Sequence, residues 1–153
     1  MAEKIVNVLH VEDDMIDVRL LRRIFAKYGI LNPLHRAADA IEALEILRGE
    51  NGRARVEEPY VILLDMKLPR MDGIEFLREL RADPQLKDTI VFMLTTFMRD
   101  EEKAAAIRHA VAGVILKGEI AEDDSKLVEL LEEYWRVPPG GSSPSKLLHL
   151  SRR

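Results

Sequence analysis

An α/β fold built on a doubly wound parallel sheet is predicted by three features of the 153-residue sequence. Short, mostly apolar runs alternate with amphipathic segments of helical period, the pattern of a parallel sheet with helices on both faces. Those runs are too short for ordinary buried helices, but they have the length and continuity of strands covered on both sides. Four of them stop at a polar residue: Val6 to Val11 at Glu12, Asp13 and Asp14; Tyr60 to Leu64 at Asp65; Ile90 to Leu94 at Thr95; Gly113 to Leu116 at Lys117. If the strands run parallel, these endings share one rim, the edge where open α/β sheets bind ligands.

The elements follow in order. After the first strand, Asp14 caps a helix to about Tyr28, with Val18, Leu21, Ile24 and Phe25 on one face and Gly29 as its stop. The second strand, Pro33 to Ala38, carries His35 and Arg36 as an edge strand does. Asp39 and Glu42 form a capping pattern for a helix to Leu47, and the polar, breaker-rich stretch 49–59 reads as a surface loop. The third strand ends at Asp65, Pro69 blocks helix continuation, and Asp72 caps a third helix that Pro84 terminates near Ala82. The fourth helix, Asp100 to Ala112, has only Ala104, Ile107, Ala110 and Val111 to bury, so it is expected to be the most mobile element. A fifth helix, Asp123 to Trp135, turns Leu127, Leu130, Leu131 and Tyr134 toward the sheet, with Val128 and Trp135 at its side. Residues 137–153, opening on Pro138, Pro139 and two glycines, read as a flexible tail.

Composition narrows the function. The charge balance, 23 Lys and Arg against 27 Asp and Glu, offers no broad nucleic-acid surface. The absence of cysteine excludes disulfides and thiolate metal sites. No signal peptide and no apolar run of membrane-spanning length is present, so a cytoplasmic location without membrane contact is expected.

The rim has chemistry of its own. Glu12, Asp13 and Asp65 would repel by roughly 4 kcal/mol per close pair at an effective dielectric of 20, which invites a hard cation such as Mg²⁺. Thr95 and Lys117 suit the oxygens of a phosphoryl group, and a carboxylate between them can act as nucleophile. Singly, each feature has a bland reading: the acidic pair as a solvated turn, Asp65 as a helix cap, Lys117 as a surface charge. Their conjunction at four strand ends favours phosphoryl chemistry. His10, His35, His109 and His149 lack metal-ligand spacing and read as structural or exposed, and the methionines read as packing or loop residues.

Over residues 5 to 136 the sequence resembles the receiver domains of two-component response regulators. The matching residues are Glu12 and Asp13, Asp65 within LLDMKLPRMDG, Thr95 within LTT and Lys117 within ILKG. That resemblance implies a single flavodoxin-like (βα)5 domain over residues 1–136 with strand order 2-1-3-4-5. It implies Asp65 as phosphoacceptor, and Mg²⁺ held by Glu12, Asp13, Asp65 and the backbone carbonyl of Lys67. Thr95 and Lys117 would contact the phosphoryl group. The family usually has proline after the lysine where this chain has Gly118, and Val114 replaces the aromatic switch residue of many members. By the same analogy, Lys67 and Phe97 line the path of the water that removes the phosphate, and the apolar Phe97 implies slow autodephosphorylation.

The VEDD start with Asp17 close behind, the charged loop before the third strand, LTT and EEYW resemble single-domain regulators of bacterial and cyanobacterial phytochromes. A histidine kinase, of the bacteriophytochrome kind, is therefore the expected phosphoryl donor, and the chain is a signalling phosphoprotein rather than an enzyme. The stretch after the fifth helix is too short for an output domain. Output is expected through an unknown downstream protein, onward phosphotransfer, or a homodimer through the fourth helix, fifth strand and fifth helix, with the Trp135 indole as anchor. Two other classes compete. An aspartyl-nucleophile phosphatase of the haloacid dehalogenase kind wants a second aspartate where Lys67 stands, and a receiver-shaped adaptor that is never phosphorylated would lack site residues that are all present here.

Overall fold

Strand-forming runs without alternation bury both faces, and they do so here. The computed structural model describes residues 5–135, with five parallel strands in the order β2-β1-β3-β4-β5. These are β1 (Asn7–Val11), β2 (Leu34–Ala37), β3 (Tyr60–Asp65), β4 (Ile90–Thr95) and β5 (Gly113–Leu116). Between and after them come α1 (Met15–Lys27), α2 (Ala40–Arg48), α3 (Gly73–Ala82), α4 (Asp100–Arg108), α5 (Lys117–Glu122) and α6 (Ser125–Trp135). The expected tail, residues 137–153, lies outside the described residues. No helix among them is long and apolar enough to cross a membrane.

The two faces of the sheet carry separate cores. Leu9, Val11, Ile62, Leu64 and Met93 pack on one side with Leu44 and Leu47 of α2 and with Phe76, Leu77 and Leu80 of α3. Val8, Val61, Leu63, Phe92 and Leu94 pack on the other with Leu21, Ile24 and Phe25 of α1 and with Leu127, Leu130 and Leu131 of α6. Each fully buried Leu or Phe contributes about 1.5–3 kcal/mol, so α3 and α6 are firmly seated. Capping fixes where helices begin: the side chains of Asp14, Asp39 and Asp72 accept from the backbone N–H of Ile16, Glu42 and Glu75. Gly29, at φ 66°, ends α1 as expected, with Ile30 N–H donating to the Phe25 carbonyl.

Three expectations need correction, and one element is new. The fourth helix stops at Arg108, short of Ala112, because Ala110 takes the left-handed conformation at φ 56°. The Ala110 and Val111 N–H groups then close back on the carbonyls of Ile107 and Ala106, a Schellman stop built without glycine. Its inward face also differs: Ala105 and Ala106 are buried while Ile107 is 62% exposed. The segment after Lys117, to which the sequence reading assigned no element, forms the short helix α5, with Ile120 buried. Val128 is buried in the core rather than set at the helix edge, and the Trp135 side chain lies outside the described residues.

Helix α4, with two alanines to bury, is the most thinly attached of the longer helices, and Arg81 on α3 compensates at its end. The Arg81 guanidinium donates to the carbonyls of His109 (2.7 Å), Lys87 (2.8 Å) and Thr89 (2.8 Å), and reaches that of Ala110 at 3.4 Å.

Candidate functional site

Strand register decides which side chains meet. Val11 pairs with Leu64, so Glu12 and Asp65, each one residue further on, leave the sheet side by side. Asp65 pairs with Leu94 and Thr95 with Leu116, which sets Thr95 and Lys117 one step beyond on the other flank. All the predicted rim residues therefore converge on one edge. Glu12, Asp13 and Asp65 each place a carboxylate oxygen within 4.8 Å of the others. Glu12 and Asp65 are buried, at 1% and 7% exposure, whereas Asp13 faces solvent. Lys117 Nζ donates to Glu12 Oε1 at 3.0 Å and lies 3.6 Å from Asp65 Oδ1. Thr95 is buried, and its hydroxyl donates to the Phe97 carbonyl at 3.3 Å. Lys67 is exposed, with its backbone N–H turned to the Asp65 carboxylate.

Electrostatics show a site short of positive charge. Burial and the neighbouring Asp65 charge push the Glu12 carboxyl up to about 7, although Lys117 pulls the other way. Burial also raises Asp65, against the opposing pull of Lys117, Glu12 and the Lys67 N–H. Desolvation opposes the Lys117 charge, but hydrogen bonds to Asp17 and Glu12 outweigh it and hold the ammonium above its ordinary range. One cation thus serves a cluster of carboxylates that would gain from a proton or a divalent ion. Oxygen-only donors, two of them buried and the third open to water, fit Mg²⁺, which retains part of its hydration shell.

Three residues shape this site through contacts that the sequence reading did not assign. Asp17, in the first turn of α1, accepts from Lys117 Nζ at 2.7 Å. Arg36, expected only as an edge-strand charge, donates to the carbonyls of Glu12 and Asp13 at 3.1 and 3.2 Å and so holds the backbone of the acidic pair. Gly73 packs its α-carbon against the chain that follows Asp65: a β-carbon there would lie 3.0 Å from Met66 Cα and 3.1 Å from the Asp65 carbonyl. Asp17 and Gly73 fall within patterns quoted above, but no local signal assigns them these contacts, since each depends on a partner distant in sequence or on space alone.

Behind the rim, a cavity of about 40 Å³ lies among His10, Glu12, Asp17, Leu20, Lys117 and Ile120. His10 is 3% exposed, its Nδ1 has no hydrogen-bond partner, and burial with the nearby Lys117 charge lowers its pKa to about 3. It is a neutral core residue.

Comparison with known proteins agrees with this geometry. Residues 8–132 match the family described as Response regulator receiver domain. The Probable methanogenesis regulatory protein FilR2 of Methanothrix harundinacea is 32% identical, over 88% of this chain and 86% of that protein. Response regulator Rcp1 of Synechocystis sp. is 30% identical over 84% and 87% of the two chains, and its Mn(2+)-bound structure aligns with TM-score 0.72. The phosphorylated cyanobacterial phytochrome response regulator RcpA aligns with TM-score 0.76 at 30% identity, covering 86% of this chain and 94% of the other. With its strand order, its acidic rim and a family match over most of its length, the chain belongs to the response regulator receiver domains of two-component signalling systems.

Proposed function

We propose that this protein takes a phosphoryl group from a histidine kinase onto Asp65 and signals through the change that follows. The observation that carries this reading is the rim itself: a buried carboxylate placed between two further acidic groups and a lysine 3.6 Å away. In the transfer, an Asp65 carboxylate oxygen bonds to phosphorus while the bond from phosphorus to the kinase imidazole nitrogen breaks. With a proton on the other ring nitrogen of the phosphorylated imidazole, the products are an acyl phosphate and a neutral histidine. Mg²⁺, held by Glu12, Asp13, Asp65 and the Lys67 carbonyl, would supply charge neutralisation for the phosphoryl oxygens. Lys117 and the Thr95 hydroxyl would meet those oxygens on the opposite flank, each as a donor, once Thr95 releases the Phe97 carbonyl.

Likeness to the cyanobacterial phytochrome response regulator RcpA supports a kinase of the phytochrome class as the donor. Output would pass to a partner protein, by onward phosphotransfer, or by self-association through α4, β5 and α6. Acetyl phosphate with Mg²⁺ tests the phosphoacceptor directly. Asp65→Asn keeps the shape and removes the nucleophile, and Asp13→Asn removes a metal charge, so both should abolish labelling. If Asp65→Asn still forms an acid-stable, base-labile phosphoprotein at wild-type yield, the assignment fails. Light scattering with and without phosphorylation tests the dimer: a monomer in both states at high micromolar concentration removes it.

A further inference from the structure

We propose that Asp17 is a positioning residue for phosphoryl transfer, fixing the Lys117 ammonium so that one of its three N–H bonds is kept for the phosphoryl oxygens. The inference rests on the reading of Asp65 as phosphoacceptor and concerns what orients the lysine beside it. An ammonium has three donors. Two of them are committed in this structure, to Asp17 Oδ2 at 2.7 Å and to Glu12 Oε1 at 3.0 Å. Asp65 Oδ1, at 3.6 Å, is too far for a hydrogen bond, so the third donor is not used by the bare carboxylate. A phosphoryl group on Asp65 would carry oxygens into that gap.

Packing does not hold the lysine in this pose. Its four-carbon stem is flexible, and the cavity lined by Lys117, Asp17, Leu20 and Ile120 leaves space beside it. The two carboxylates hold it instead, and they are not equivalent. Glu12 belongs to the acidic cluster that suits a divalent ion, so a bound cation would compete for its charge. Asp17 stands outside that cluster, on the first turn of a helix seated by Val18, Leu21, Ile24 and Phe25. It is the anchor that the lysine keeps when metal binds.

The bland alternative is an ion pair that only ties α1 to α5, and a double-mutant cycle with acetyl phosphate and Mg²⁺ separates the two. Asp17→Asn and Asp17→Ala should lower the maximal phosphorylation rate about tenfold, the scale of a sub-ångström displacement of a reacting group, with little change in half-saturating acetyl phosphate. Asp17→Glu should recover part of the rate. In a Lys117→Ala background Asp17→Ala should have no further effect. A rate that is unchanged or raised in Asp17→Asn, or an equal loss in the Lys117→Ala background, overturns the proposal. Nitrogen-15 NMR of the Lys117 ammonium gives a readout independent of labelling. A resolved, slowly exchanging signal in the wild type that is lost in Asp17→Asn supports the anchor, and a signal unmoved by the substitution overturns it. A wild type that does not label at all refutes the phosphoacceptor reading instead, and the ammonium signal still decides whether Asp17 anchors the lysine.

Discussion

Replacing Gly73 by alanine should damage both stability and chemistry through one added methyl group. Gly73 opens α3, its N–H donates to the Met66 carbonyl at 2.8 Å, and its φ lies outside the left-handed region, so glycine is required for space rather than for conformation. The new β-carbon would meet Met66 Cα at 3.0 Å, the Asp65 carbonyl at 3.1 Å and the Met66 carbonyl at 3.2 Å. Carbon atoms prefer separations of about 3.5–4.0 Å, so the closest contact is short by roughly 0.5 Å, and every atom it meets is backbone. Overpacking of this kind costs about 1–3 kcal/mol, and the helix gains back up to about 1 kcal/mol from losing glycine. The net loss should be about 1–2 kcal/mol, seen as a urea midpoint lowered by roughly 0.5–1 M. Because the strain falls on Asp65 and its neighbour, the acetyl phosphate labelling rate should also drop about tenfold. Gly118→Ala is the control: nothing lies within 4 Å of its β-carbon, so the same change should stabilise by about 0.5–1 kcal/mol. Gly73→Ala with a wild-type urea midpoint and labelling rate would refute the close-approach argument.

Three further outcomes are expected. Stability of the metal-free protein should depend on pH with opposed limbs. The raised Glu12 contributes stability that is present below 4.5 and lost as pH rises through about 7, whereas the lowered His10 contributes stability present above 6.5 and lost as pH falls toward 3. Thermal denaturation in EDTA should therefore show lower stability below about pH 4.5, where His10 alone titrates, a nearly flat stretch up to about 6.5, where the two slopes oppose, and no further change from either group above about 7; a steady rise from pH 5 to 8 would contradict it. Arg81→Met should cost about 2 kcal/mol, the scale of charged hydrogen bonds to carbonyls, and should speed hydrogen exchange at residues 109–112 ahead of the rest; equal exchange there would count against the clamp. Phe97→Glu should shorten the phosphate lifetime about tenfold by offering a base to water, without loss of stability because Phe97 is 60% exposed; a lengthened lifetime would remove the argument.

What could be read from sequence and what could not divides along a physical line. Asp65, Glu12, Thr95 and Lys117 were legible because each ends a strand, and strand ends announce themselves through the halt of an apolar run. Helix starts at Asp14, Asp39 and Asp72 were legible for the same reason: a cap acts on its own backbone two or three residues on. His10 could have been placed too, since a side chain inside a run buried on both faces has nowhere else to go. The end of α4 was not legible, because its stop uses Ala110 where the usual signal is glycine, and tertiary contacts supplied by Arg81 hold it. Nor was its inward face: a helix with only alanine and one isoleucine near its centre gives no decisive stripe, and the packing buried Ala105 and Ala106 while leaving Ile107 outside. Gly118 hid α5 by reading as a loop.

The residues that tune the site belong wholly to this second class. Asp17 meets Lys117 across 100 residues, Arg36 reaches the backbone of Glu12 and Asp13 from the edge strand, and Gly73 matters for a side chain it does not have. Local pattern thus supplies the groups that can do chemistry, because their placement follows from where a strand stops. Their orientation follows from pairings between elements that no local pattern records. A substitution at Asp17, Arg36 or Gly73 would leave Glu12, Asp13, Asp65, Thr95 and Lys117 all in place, yet it would alter the geometry on which the rim's chemistry depends.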